Sequence, residues 1–168
     1  DIFTAKADSG SVPVPYLQSP ANELFPQVAP DRTLIAYQGN EGGGMQVWLR
    51  TFPVPQGKWK VSGPRGGNPR WSPDGRYIYF WRDGEPLDSL FRARVDRTPA
   101  IVVQAEEFVL AMNADNVSAW NFHPDGKRFI VSVPPVSGTA STGASSDRYL
   151  MLQGVFGELR RLTAAKPQ

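Results

Sequence analysis

Cysteine is absent from the 168 residues, histidine occurs once, and no apolar run is long. Without cysteine there is no disulfide framework, no thiolate nucleophile and no cysteine-ligated zinc, although the compartment stays open. The single histidine leaves no imidazole cluster for a metal. The apolar stretch near Phe129 to Val133 ends at prolines, and no uninterrupted apolar run exceeds five residues, far short of the ~18 to 20 residues of a membrane span. Charge of one sign is also scarce: 18 Lys+Arg face 16 Asp+Glu, a net +2, and no more than two basic residues adjoin. That is no footprint for nucleic acid. A start at Asp1, with no charged and then apolar leader, is what a processed or excised segment is expected to have.

Turn formers are what the chain has in quantity. Its 16 glycines and 16 prolines are about a fifth of all residues, against a usual combined share of roughly 12%. Such a density argues against helical bundles. The 40% hydrophobic and 11% aromatic content supplies too much core material for a disordered linker. A β-rich globular chain remains, with one domain as the length prior.

Three segments repeat: residues 25–37, 68–80 and 120–132. Each holds a short strand, a Pro-Asp turn and a β-rich strand, with turn residues Pro30-Asp31, Pro73-Asp74-Gly75 and Pro124-Asp125-Gly126. The distance from Asp31 to Asp74 is 43 residues, and from Asp74 to Asp125 it is 51. A period of ~40 to 50 residues is that of a propeller blade. Proline presets φ for a turn, aspartate bonds nearby backbone amides, and glycine takes the left-handed closing position. Arg32 stands where the other copies have glycine, which predicts a looser or strained first turn.

Further strands are predicted at 45–52 and 59–62, at 89–95 and 100–104, and at 148–154 after a Gly/Ser/Thr loop over 137–146. Residues 158–163 read as a strand or a short helix. Ahead of the repeats, 2–6 and 14–17 read as the outer two strands of an earlier blade. The expected architecture is all-β, with blades of four antiparallel strands: a half-blade over 1–20 and blades over 21–64, 65–110 and 111–168. That makes 14 strands, or three and a half blades.

The segment Trp71-Ser72-Pro73-Asp74-Gly75-Arg76-Tyr77-Ile78-Tyr79-Phe80 resembles the Pro-Asp repeat of TolB-like, WD40-like (PD40) β-propellers. The likeness is closest to propellers at the C-terminal end of bacterial serine/threonine kinases and related envelope proteins. Residues 26–37, 47–53, 57–62 and 154–162 look like the last three blades and terminus of such a domain. The resemblance implies a propeller fold, an extracytoplasmic location and a recognition role, with upstream blades lying outside this chain. It brings no phosphoryl transfer: the His-Arg-Asp loop, the Asp-Phe-Gly and the Gly-rich loop with its strand lysine are all absent.

Candidate chemistry within the chain is sparse. His123 takes the place of Ser72 in the preceding copy and reads as a strand-end residue. No Gly-x-Ser-x-Gly elbow occurs; Ser141 is followed by Gly143 but preceded by Thr139. Gly39 with Gly42 to Gly44, and Gly63 with Gly66 and Gly67, match neither a Walker nor a Rossmann spacing and read as loops. Asn113, Asp115 and Asn116 lack the glycine and distal glutamate of a calcium loop, and Asn116-Val117-Ser118 is a three-residue sequon match. Glu106 and Glu107 would point to opposite faces of a strand and read as solvated. Trp48, Trp59, Trp71, Trp81 and Trp120 read as packing between sheets.

The expectation is therefore a non-catalytic binding or scaffolding module without cofactor or metal. Its best binding candidates lie near the start of each innermost strand: Asn22 and Gln27, Asn68 and Arg70, Trp120 and Asn121. Its expected partners are a protein, the remaining blades or a second copy. The alternative is the substrate-gating propeller of a prolyl-oligopeptidase-like hydrolase whose catalytic domain lies elsewhere. A third reading is a self-contained carboxylate or metal site on the propeller face.

Overall fold

The computed structural model describes residues 1–8, 10–84, 88–112, 119–123, 125, 127–133 and 148–152, and no helix occurs among them. The first sheet pairs β1 (Ile2–Thr4) with β2 (Val14–Leu17). The second runs β3 (Glu23–Val28), β4 (Leu34–Gly39), β5 (Gln46–Thr51), β6 (Trp59–Lys60), each antiparallel to the next. The third has β7 (Gly66–Trp71), β8 (Tyr77–Arg82) and β9 (Asp88–Asp96), and β9 pairs with both β10 (Val102–Val103) and β11 (Glu107–Met112). The fourth joins β12 (Ala119–Phe122), β13 (Phe129–Val133) and β14 (Arg148–Leu152).

These sheets stack face to face as propeller-type blades. The second strand of each blade reads as continuous apolar residues because both of its faces are covered. Along β4, Leu34 and Ala36 face the third sheet, whereas Ile35 and Tyr37 face Ile2 and Tyr16 of the first. Along β8 the alternation repeats. Ile78 and Phe80 meet Val47, Leu49 and Val61 of the second sheet, and Tyr79 and Trp81 meet Trp120, Phe129 and Val131 of the fourth. The period-2 geometry of a strand thus converts one apolar run into two seams.

Indole hydrogen bonds lace the innermost strands together. Trp71 Nε1 donates to the Gln27 carbonyl at 3.0 Å, and Trp120 Nε1 donates to the Asn68 carbonyl at 2.9 Å. The tryptophans expected as packing are so placed: Trp71, Trp81 and Trp120 are buried, and Trp48 and Trp59 half-buried.

The three Pro-Asp turns share one hydrogen-bond pattern. Backbone bonds close the hairpins at Ala29 to Leu34, Ser72 to Tyr77 and His123 to Arg128, each 2.8 to 2.9 Å. Asp31, Asp74 and Asp125 each accept the amide two residues on, at 3.2, 3.1 and 2.9 Å. Pro124 and Gly126 lie outside the described residues. Arg32 has φ 59° and Gly75 φ 68°, so the arginine copies the glycine conformation and carries the strain expected of it. Gly75→Val is expected to cost more than ~1 kcal/mol, and Arg32→Gly to be neutral or stabilising. Denaturant midpoints check both, and an unchanged midpoint for the valine variant would contradict the turn.

Asp74 is held at about 2, chiefly by the Ser72 hydroxyl and then by the Arg76 amide and guanidinium. Asp125 is also held at about 2, chiefly by the Lys127 amide and then by Arg128. A carboxyl whose folded value lies below its ordinary 3.8 stabilises the fold above that value, and the contribution is lost as pH falls towards 2. Stability is therefore expected to drop between pH 4 and pH 2. In Asp74→Asn the drop should be shallower and the loss already present at neutral pH; an identical acid slope would refute this.

Candidate functional site

The start of the innermost strands is where this fold departs from regular geometry. Both β3 and β7 carry a one-residue bulge, between Leu24 and Gln27 and between Gly67 and Arg70. Each bulge contains a proline, Pro26 or Pro69, which has no N–H to give to the ladder. The residues before those prolines lie in the left-handed region, Phe25 at φ 51° and Asn68 at φ 51°. Asparagine tolerates that region, but phenylalanine is strained there. Arg65, just ahead of β7, has φ 65°.

These three residues line a single pocket at the seam between the second and third sheets, with a volume of about 300 Å³. They are three of the four non-glycine residues with left-handed φ among the described residues; the fourth is Arg32 in its turn. Strain of this kind concentrates where a ligand or partner is held. Phe25, 46% exposed, and Met45 form the apolar wall. Gln38 crosses the seam, its Oε1 accepting the Asn68 amide at 3.0 Å. A Cβ on Gly67 would lie 2.5 Å from that oxygen, so any side chain there would have to push the Gln38 amide aside. Arg65 and Asp83 mark the rim, joined through the Asp83 amide and the Arg65 carbonyl at 3.3 Å.

Two side-chain atoms of residues that border the pocket, Asn68 Oδ1 and Trp81 Nε1, are fully buried and without a hydrogen-bond partner among the described residues; the Trp81 ring lies on the face of β8 towards the fourth sheet. One is an acceptor and the other a donor. Trp81 is 4% exposed, and its ring is fixed edge-to-face against Trp120, centroids 6.2 Å apart.

Of the six residues expected to bind, Asn68 lies in the pocket. Asn22 is exposed at the head of β3, its amide bonded to Asn40 Oδ1 at 2.8 Å. Gln27 is half-buried and gives its carbonyl to Trp71. Arg70 and Trp120 belong to the next seam. The guanidinium, half-buried and lowered in pKa by that burial, donates to the Trp120 carbonyl at 3.2 Å and lies 5.9 Å from the indole centroid. Asn121 is exposed, its Oδ1 accepting the Phe122 amide at 2.9 Å. Phe25, Gln38, Arg65, Trp81 and Asp83 escaped the sequence reading; the repeated X-Pro at 25–26 and 68–69 was the available signal.

His123 stays within its turn, its Nδ1 accepting the Asp125 amide at 3.3 Å beside the Arg128 guanidinium at 3.2 Å. Glu106 corrects the expectation that both glutamates are solvated. It is half-buried, accepts Arg82 Nη2 at 2.6 and 2.5 Å and the Gly63 amide at 3.2 Å, and lies just before β11. Those donors hold its carboxyl below the usual range against the opposing effect of burial. Glu107 is exposed and pairs with Arg92 at 2.8 Å. Among the described residues no group of three or more His, Asp or Glu could hold a metal ion. Asn113, Asp115 and Asn116 lie outside the described residues, as do 134–147 and 153–168.

No family model matches the chain, and no curated protein matches it. Two solved structures are similar to it in fold. One is an acylaminoacyl peptidase in complex with Z-Gly-Gly-Phe-chloromethyl ketone, with a TM-score of 0.51 at 18% identity over 76% of this chain and 20% of that one. The other is Pyrococcus horikoshii acylaminoacyl peptidase, with a TM-score of 0.54 at 17% identity over 79% of this chain and 23% of that one. The chain spans about a fifth of their length. At such identity the likeness is one of fold.

Proposed function

We propose that this chain is a non-catalytic recognition module made of propeller blades, which holds a ligand or partner segment at the start of its innermost strands. One observation carries the reading. Adjacent blades converge there on a pocket of about 300 Å³ with an apolar wall, three left-handed residues and an Arg65–Asp83 rim. Pockets of this kind, apolar with a few placed polar groups, are the usual form of a binding site. The resemblance of Trp71 to Phe80 to the Pro-Asp propeller repeat supports a recognition role on an extracytoplasmic protein. The test is a fragment screen followed by amide and indole NMR, with the same preparation assayed for peptidase, esterase, kinase and nuclease turnover. Shifts clustered on Phe25, Asn68 and Trp81 without turnover support the reading. Turnover abolished by a substitution in this chain, or shifts confined to other surfaces, contradicts it.

A second reading is favoured by the two peptidase structures: the blades serve as the substrate-gating propeller of a hydrolase. A Gly-x-Ser-x-Gly elbow elsewhere in the same reading frame supports it, and a kinase domain there contradicts it.

The partner we propose for the isolated chain is a second copy. The β1–β2 sheet leaves large apolar side chains exposed, Phe3 at 50% and Val14 at 56%, and exposed apolar strands invite pairing. A chain of these 168 residues is expected to self-associate, and Phe3→Glu with Val14→Lys to weaken the association. Light scattering after size exclusion at several concentrations reads it, and a species that stays monomeric at high concentration refutes it.

A further inference from the structure

Resting on the recognition reading, we propose that the seam pocket binds a single α-amino acid with an apolar side chain, taken as its zwitterion. The rim carries the two charges such a ligand needs. Arg65 and Asp83 both line the pocket and are exposed, and neither side chain has an ion-pair or hydrogen-bond partner among the described residues. They stand opposite one another. Gly66 and Arg82 are register partners at the end of the β7–β8 ladder, and one step beyond them the Asp83 amide donates to the Arg65 carbonyl at 3.3 Å. Opposite charges directly across two antiparallel strands ordinarily pair. Here no ion pair joins them, and Arg65 has φ 65°, off the extended geometry that sends facing side chains the same way. The two charges flank the opening instead of neutralising each other.

The remaining features select the ligand. One cation and one anion give the rim no net charge, so it complements a molecule carrying both signs: a carboxylate for Arg65 and an ammonium for Asp83. An α-amino acid holds both groups on one carbon, a spacing suited to two residues that face each other. Phe25, 46% exposed, and Met45 form the apolar wall that receives its side chain, and burial there supplies more of the binding than the exposed charges do. The volume of about 300 Å³ is at the small end of the ~300 to 1,000 Å³ usual for ligand pockets, which suits one residue rather than a peptide segment. Every group in this assignment is open to solvent: Phe25, Arg65 and Asp83 are exposed and Met45 is half-buried.

The probe is L-leucine, titrated into the whole chain and followed by amide and side-chain NMR. The expected result is saturable shifts on Phe25, Met45, Arg65 and Asp83. Binding should be about threefold or more weaker for L-leucinamide, which lacks the carboxylate, and for N-acetyl-L-leucine, which lacks the ammonium. Glycine, without the side chain, should bind at least about tenfold more weakly. Arg65→Asn removes the charge with a residue that tolerates the left-handed φ; it should bind leucine and leucinamide equally while still discriminating against N-acetyl-leucine. Asp83→Asn should show the reverse, binding leucine and N-acetyl-leucine equally while still discriminating against leucinamide. Unchanged amide spectra away from the pocket establish that each variant is folded. Equal affinity of the parent chain for leucine and either analogue overturns the proposal, as does a variant that loses neither preference. If other fragments fill the pocket and leucine does not, the amino-acid assignment falls and the recognition reading stands; if no fragment enters it, both fall.

Discussion

Phe80→Ala is expected to destabilise the chain by about 3–5 kcal/mol, the usual cost of removing a fully buried ring. Phe80 has no exposed surface and lies stacked on Phe91, its register partner on β9, with centroids 6.1 Å apart. On its other side are Leu34, Ala36, Val47 and Leu49 of the preceding blade. The ring therefore ties its own blade and also fills the seam against the preceding one. Neither sheet can close the gap by local adjustment, because every position around it is an alternating strand residue held by ladder hydrogen bonds. Phe108 offers the control. It also contacts Phe91, at 5.7 Å, but is 55% exposed, so Phe108→Ala should cost well below the Phe80 value. Urea unfolding of the two variants beside the parent decides the matter. Equal losses, or a loss for Phe80→Ala under ~1 kcal/mol, would show that the seam does not carry the stability assigned to it.

The turns were legible because their chemistry is local. Pro-Asp-Gly fixes φ, an Asx hydrogen bond and a closing position within four residues, and the arginine at 32 adopts what the glycine at 75 adopts because the surrounding hairpin is the same. The blade stack was legible because residues 34–37 and 77–81 are apolar on both parities. The outer strand of the third sheet was harder to read. Only Val102–Val103 of the expected 100–104 strand pairs, and a second piece, Glu107–Met112, continues along the nine-residue β9. Fourteen strands occur among the described residues, but β11 stands in that number where residues 158–163, outside the described set, were expected. At the end of the break at Gln104 to Glu106, Glu106 pairs with Arg82, a tertiary contact that no periodicity records.

The pocket was barely legible, for the same reason. Phe25, Asn68 and Trp81 are far apart in sequence and meet only because bulged strands from two blades align. Asn68 was reachable from its place at the start of a strand. Trp81 was not: its apolar neighbours predict a core residue, and it is one, differing from the others only in an indole N–H that finds no partner.

Trp120→Ala is expected to act on one seam rather than on the whole molecule. In a stack each blade is stabilised mainly by its neighbours, so damage at one interface stays there. Trp120 is 3% exposed and contacts Trp81, Phe122 and Phe129 at 6.2, 5.6 and 6.0 Å between centroids. It also donates to the Asn68 carbonyl and takes the Arg70 guanidinium on its backbone oxygen. Truncation removes the rings' contacts and that hydrogen bond together, about 3–5 kcal/mol by the buried-aromatic scale. Trp120→Phe keeps much of the contact and removes the donor, so about 1–3 kcal/mol of that loss should remain if the Asn68 carbonyl is left unpaired. The distinguishing measurement is hydrogen exchange. In Trp120→Ala, amides of Phe129 to Val131 should lose protection while those of Leu34 to Tyr37 keep it, whereas Phe80→Ala should expose both Leu34 to Tyr37 and Ile78 to Trp81. If Trp120→Ala lowers protection equally across all blades, the chain unfolds as one unit and the seams are not separable.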